Sequence, residues 1–133
     1  MQYERRWQRI FRVAAWWNVL VGAGGLIAPR WGIELFYGAN AVSDDLIARL
    51  AWGDFSVCVL LFGVGYFIVA RDVRKNHGLV VLGVLGKAGV LVSFPLRFFA
   101  GEATGWILIP AAVDGTMAML FVVFLARRQR LLK

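Results

Sequence analysis

Four long apolar runs, separated by short polar segments, constrain this chain more than any other feature. They fall at about residues 11–28, 46–70, 78–96 and 103–126. A helix rises 1.5 Å per residue, so runs of roughly 17–24 residues each reach across a hydrocarbon core of about 30 Å. Of the 133 residues, 60% are hydrophobic and only 17% are charged. A soluble domain carries about 45–50% apolar and about 25% charged residues. A chain this short has too little interior to hide such an excess. The composition leaves no place for a disordered chain, a disulfide-stapled secreted mini-protein or a soluble globular enzyme. The expected fold is an all-α, four-helix transmembrane bundle, a single integral membrane domain over residues 1–133 bathed in the lipid bilayer.

Charge placement supplies the orientation. The net charge of +7 comes from 15 Lys and Arg against 8 Asp and Glu. Most of the basic residues cluster in three polar segments: Arg5, Arg6, Arg9 and Arg12; Arg71, Arg74 and Lys75; and Arg127, Arg128, Arg130 and Lys133. These segments flank apolar runs, the pattern of cytoplasmic loop charge rather than of a nucleic-acid stripe. Placing both termini in the cytoplasm leaves only Arg30, Arg49 and Arg97 on the opposite side. The expected topology is N-in/C-in, multi-pass, in the cell's inner (cytoplasmic) membrane, with no nucleic-acid partner. The first run has an Arg-rich leader, but Ala28-Pro29-Arg30-Trp31 offers no signal-peptidase site, so it reads as a retained anchor.

Local signals mark the ends of the runs. Pro29-Arg30 closes the first. Ser43-Asp44-Asp45 precedes the second as an N-cap with acidic residues near the positive helix end. Between them, Trp31, Ile33, Leu35, Phe36 and Tyr37 make the longest connection far from merely polar. That segment suits the outer interface, as an aromatic anchor belt or as a short helix or re-entrant lid.

The informative residues are polar ones inside the runs. Lys87 lies near the middle of the third, Asp114 near the middle of the fourth and Asn18 near the middle of the first. Asp54 lies in the second, on the order of 6 Å outward of its middle. A charge at the bilayer centre costs about 2.5–3.5 kcal/mol, so these groups are expected to face the bundle interior and pair. The simplest arrangement joins Lys87 to Asp114, with Asp54 and Asn18 as further partners. Such a cluster either locks helix register or lines a functional cavity. Glycines and alanines around it, including Gly83, Gly86, Gly89, Ala111, Gly115 and Ala118, allow close helix packing and leave room for a ligand. Pro95 and Pro110 free backbone carbonyls that line a cavity or kink the helices.

Metal and thiol chemistry find little support. Cys58 is the sole cysteine and lies in an apolar run, where it reads as a small core residue rather than a reactive thiol. His77 is the sole histidine, which excludes bis-histidine haem ligation and a multi-histidine metal site. No metal and no cofactor are expected.

The run from Gly63-Val64-Gly65-Tyr66 to Ala70-Arg71-Asp72, followed by Gly86-Lys87 and then Asp114, resembles a group of small four-helix bacterial membrane proteins. That group is loosely similar to the DoxX-like proteins, some of which associate with quinol-linked or other redox membrane systems. The resemblance covers roughly residues 60–115, with Val73 and Gly115 departing from its pattern. It adds Tyr66, Arg71 and Asp72 to the residues of interest. Three functions remain open. The first is an accessory or assembly subunit of a larger membrane complex, such as a redox complex, with a protein partner or a homo-oligomer implied. The second is a small proton- or ion-coupled transporter using the Lys/Asp site. The third is a membrane enzyme acting on a lipid or quinone, disfavoured because no nucleophile–base pair is evident.

Overall fold

Helix α1 (Gln2–Ile27) carries an inward stripe of Trp7, Phe11, Ala14, Ala15, Asn18, Gly22 and Gly25 at helical spacing. The structure, a computed structural model, describes residues 2–41 and 45–127. Four helices among the described residues are long and apolar enough to cross a membrane: Gln2–Ile27, Leu46–Arg71, His77–Phe99 and Gly105–Arg127. The protein is a four-helix bundle of the integral membrane class. Helix α1 starts well before the apolar run, because its arginines occupy the outward side while Trp7 and Phe11 stay buried. Helix α2 (Pro29–Tyr37) is short, with Pro29 in its first turn, where a missing N–H costs nothing.

Helix α3 (Leu46–Arg71) is capped by Asp45, whose carboxylate accepts from the Ala48 N–H at 2.8 Å. Ser43 and Asp44, the other residues of that expected cap, lie outside the described residues, as do Arg128, Arg130 and Lys133. Helix α4 (His77–Phe99) contains Pro95 in its last turns. A 3₁₀ turn (Gly105–Ile107) leads into α5 (Leu108–Arg127), which places Pro110 in the first turn of α5 rather than within it.

The bundle is two tight pairs, α1 with α3 and α4 with α5. Glycine sets the first. A Cβ on Gly22 would stand 2.7 Å from the Leu60 backbone nitrogen, and one on Gly63 would stand 3.0 Å from the Ala15 carbonyl oxygen. Backbones this close gain dispersion contacts, which drive helix association where lipid removes the hydrophobic incentive.

Aromatic residues bind the two pairs together at the end that holds both described termini. Phe11 stacks on Phe121 at 4.8 Å and meets Phe124 edge-on at 5.0 Å. Trp7 packs on Phe124 and Tyr66 on Phe121, both at 5.1 Å. Val69, Val73 and Val80 fill the remaining space and are fully buried. At that end an ion pair from Arg74 to Glu4 at 3.1 Å ties the α3–α4 turn to α1.

The opposite end is held by α2. Trp52 lies against Gly32 and donates its indole N–H to the Gly25 carbonyl at 3.1 Å. Thr104 donates its amide to Phe36 O at 2.8 Å and its hydroxyl to Leu35 O at 2.6 Å. The connection between the first two spans is therefore a short helix bridging both pairs. Trp31 points outward and Ile33 is buried.

Replacing Gly22 or Gly63 by leucine is expected to lower stability by about 1–3 kcal/mol, since neighbouring backbone cannot move aside. A Cβ on Gly24 would meet nothing within 4 Å, and Gly24→Ala is expected to leave stability unchanged or higher. Thermal unfolding in detergent, followed by helical circular dichroism, distinguishes the two outcomes.

Candidate functional site

The polar cluster assembles from three helices. Lys87 of α4 is only 3% exposed, and its ammonium donates to Asn18 Oδ1 at 3.0 Å and to Asp114 Oδ1 at 2.5 Å. Asn18 of α1 turns its amide N–H the other way, to the Val59 carbonyl of α3 at 3.2 Å. The Tyr66 ring lies 5.4 Å from the ammonium, within cation–π reach. One network thus spans all four membrane helices.

Each contact follows from local sequence. Asn18 belongs to the stripe that packs α1 on α3, so its amide reaches a backbone carbonyl there. Lys87 continues the buried face of Val80 and Gly83 on α4. At Gly83 the absent side chain admits the Tyr66 hydroxyl, which would stand 2.7 Å from a Cβ at that position. Opposite charges cancel within the Lys87–Asp114 pair, and the low dielectric strengthens their attraction. Two of the three ammonium N–H groups are used by Asn18 and Asp114. Among the described residues no side chain or amide donates to the second Asp114 oxygen. One donor and one acceptor therefore remain side by side.

Lys87, Asp114 and Asn18 line a cavity of about 180 Å³. Its walls are chiefly apolar, from Trp17, Phe55, Phe62, Val90 and Phe94, with Phe36 contributed by α2. Within the α1–α3 connection, Phe36 lines the cavity and Trp31 supplies the outward aromatic surface. Pro110 contributes to the same wall. Toward the termini the space ends on Tyr66 and the packed rings beneath it.

Asp54 does not join this cluster. Trp52, Ser56, Val59 and Gly63 form the inward side of α3, and Asp54 falls on the other side, exposed among Leu50, Val57 and Leu61. Depth along a helix says nothing about azimuth, and at 100° per residue two positions beyond Trp52 is nearly opposite.

Arg71 is the last residue of α3 and Asp72 its C-cap, and neither joins the Lys87 cluster. Asp72 accepts from the Arg74 amide at 3.0 Å and pairs with Lys75 at 3.3 Å. The Arg74 amide first, and Lys75 after it, hold the Asp72 carboxyl below its ordinary value. Among the described residues no three His, Cys, Asp or Glu side chains gather as a metal ion requires. The cavity aromatics Phe55, Phe62 and Phe94 carry no sequence signal that sets them apart from other apolar residues. Val59 enters the polar network through its backbone carbonyl, which no side-chain pattern announces.

Two outcomes test these assignments. Lys87→Met or Asp114→Leu alone leaves a buried partner uncompensated and is expected to cost about 3–5 kcal/mol. The double variant Lys87→Met/Asp114→Leu is expected to lose clearly less than the sum of its parts, measured as a double-mutant cycle of detergent melting. Because the Asp72 pKa is lowered on folding, its stabilisation is present above the unfolded pKa and disappears as pH falls through the folded one. Asp72→Asn is expected to flatten the acid limb of the stability–pH profile, by a small amount given its exposure.

No protein-family model matches the chain, and no curated protein or solved structure matches it either.

Proposed function

We propose that this multi-pass membrane protein binds a neutral, lipid-soluble molecule with a hydrogen-bonding oxygen, of the quinone or quinol class, and serves a larger membrane complex as an accessory subunit. The carrying observation is a largely apolar cavity with one charged wall, where the Lys87 ammonium and an Asp114 oxygen stand adjacent. A carbonyl oxygen would accept from Lys87, and a hydroxyl would donate to Asp114. Charge cancellation within the pair favours a neutral head over an ion. The resemblance to four-helix bacterial proteins akin to the DoxX-like group points in the same direction, as does residence in the cytoplasmic membrane with the basic end inward.

Coupled transport fits less well. A transported solute needs an exit at each side, and Phe11, Tyr66, Phe121 and Phe124 fill the terminal half.

A benzoquinone with a decyl tail, titrated into the protein in nanodiscs, is expected to quench tryptophan fluorescence saturably, Trp17 being a cavity wall. Hydrogen bonds to charged groups contribute about 1.5–3 kcal/mol, so Lys87→Met/Asp114→Leu is expected to weaken binding about 10- to 100-fold. Absence of saturable quenching in the natural protein overturns the binding role. Isolation from native membranes as a lone monomer or dimer overturns the accessory role.

A further inference from the structure

At mid-membrane depth the outward helix surfaces are apolar almost throughout. Exposed residues of α4 such as Val81, Leu85 and Val92 need nothing beyond lipid. On α5, Thr116 returns its hydroxyl to the Ala112 carbonyl one turn back. Asp54 of α3 stands apart: it is exposed, yet among the described residues it makes no hydrogen bond and no ion pair. Its own chain has no cation to offer at that depth, because Lys87 is held by Asp114 and Asn18 on the inward side. A carboxyl group against hydrocarbon is costly and calls for a partner.

Asp54 also sits within a seam. Ile47, Leu50, Val57, Leu61, Val64 and Ile68 share its face, and all are exposed. With Asp54 they are spaced alternately three and four residues apart, an unbroken 3.5-residue repeat. At 1.5 Å per residue the seam runs roughly 30 Å, the thickness of the hydrocarbon core. The opposite side of α3, with Ser56 and Gly63, is taken by α1. The Cys58 thiol, expected in the core, is exposed beside the seam.

We infer that this seam is the interface of a parallel homodimer, α3 against α3 of a second copy, with the two Asp54 carboxyl groups meeting on the twofold axis. Every copy enters the membrane with the same topology, so a twofold axis along the membrane normal sets equal depths side by side. A carboxylic acid carries one donor and one acceptor, so two such groups complete each other, which an apolar neighbour cannot do. A polar residue at one inward position of a heptad seam is also the device that fixes register and oligomer state. The apolar positions likewise meet their own copies, so no second sequence is needed to match the seam. The pairing leaves the inward Lys87 cluster untouched and is compatible with membership of a larger complex.

Disulfide trapping reads the interface directly. In a Cys58→Ala background, single cysteines replace Leu50, Val57 or Leu61 on the seam, or the comparably exposed Leu85 on α4. Oxidation of the full chain in its native membrane is expected to join copies through each seam position at least tenfold more than through position 85. Equal trapping on both helices overturns the inference. Absence of trapping on the seam also overturns it, and leaves the face to lipid or to a different subunit. Energy transfer between labelled copies in lipid vesicles then measures the carboxyl pairing. Asp54→Leu is expected to weaken association about 5- to 30-fold, as loss of an interhelical hydrogen bond does in model membrane peptides. Asp54→Asn retains a donor and an acceptor and is expected to associate as the natural chain does. Asp54 has no partner in its own chain, so both variants are expected to melt no lower than the natural protein, which separates lost pairing from lost folding. Undiminished association of Asp54→Leu overturns the carboxyl pairing on which the inference rests.

Discussion

An ammonium at mid-membrane depth must keep its partners, and the arrangement of this bundle follows from that requirement. Lys87 is nearly sealed from the surroundings, and its cost in a medium of low dielectric is offset by Asp114 and Asn18 at hydrogen-bond distance. Those partners belong to α5 and α1, and Asn18 in turn holds the Val59 carbonyl of α3. Sliding any one of these helices by a turn would strand a charge or an amide. The cluster therefore sets helix register whether or not it also meets a ligand.

Around it the bundle divides into halves of different character. Toward the termini, rings from α1, α3 and α5 interlock with valines from α3, α4 and their connecting turn into a continuous core. Toward α2, the same helices are held by glycine contacts and hydrogen bonds at their edges, and space remains between the pairs. The polar cluster stands at the junction. Lys87 and Asp114 line the cavity on its open side, so the group that orders the helices also gives the cavity its charged wall.

Much of the fold was legible in the residues. Run length announced the four spans, because a helix must satisfy its own backbone in lipid and needs a minimum length to cross it. Asp45 announced the start of α3 through ordinary capping chemistry. The pairing of Lys87 with Asp114 followed from opposite charges at equal depth, each too costly to leave alone. Asp54 shows the limit of that reasoning. It shares the depth requirement, yet its azimuth is set by the glycine and serine positions that press α3 against α1. Pro110 shows another limit: its position relative to the first turn of α5 depends on where the 3₁₀ segment ends.

The residues alone determined that this chain lives in a membrane, crosses it four times and carries an ion pair within it. Those properties are sums over local free energies of transfer, and no knowledge of neighbours is needed to add them. Which helices pair closely, which side of α3 faces inward, and that Phe55 and Phe94 line the cavity were decided only in three dimensions. Their cause is packing, in which an apolar side chain means nothing until its neighbour is known. The cavity is a property of the gap between two helix pairs, and a gap belongs to no single residue.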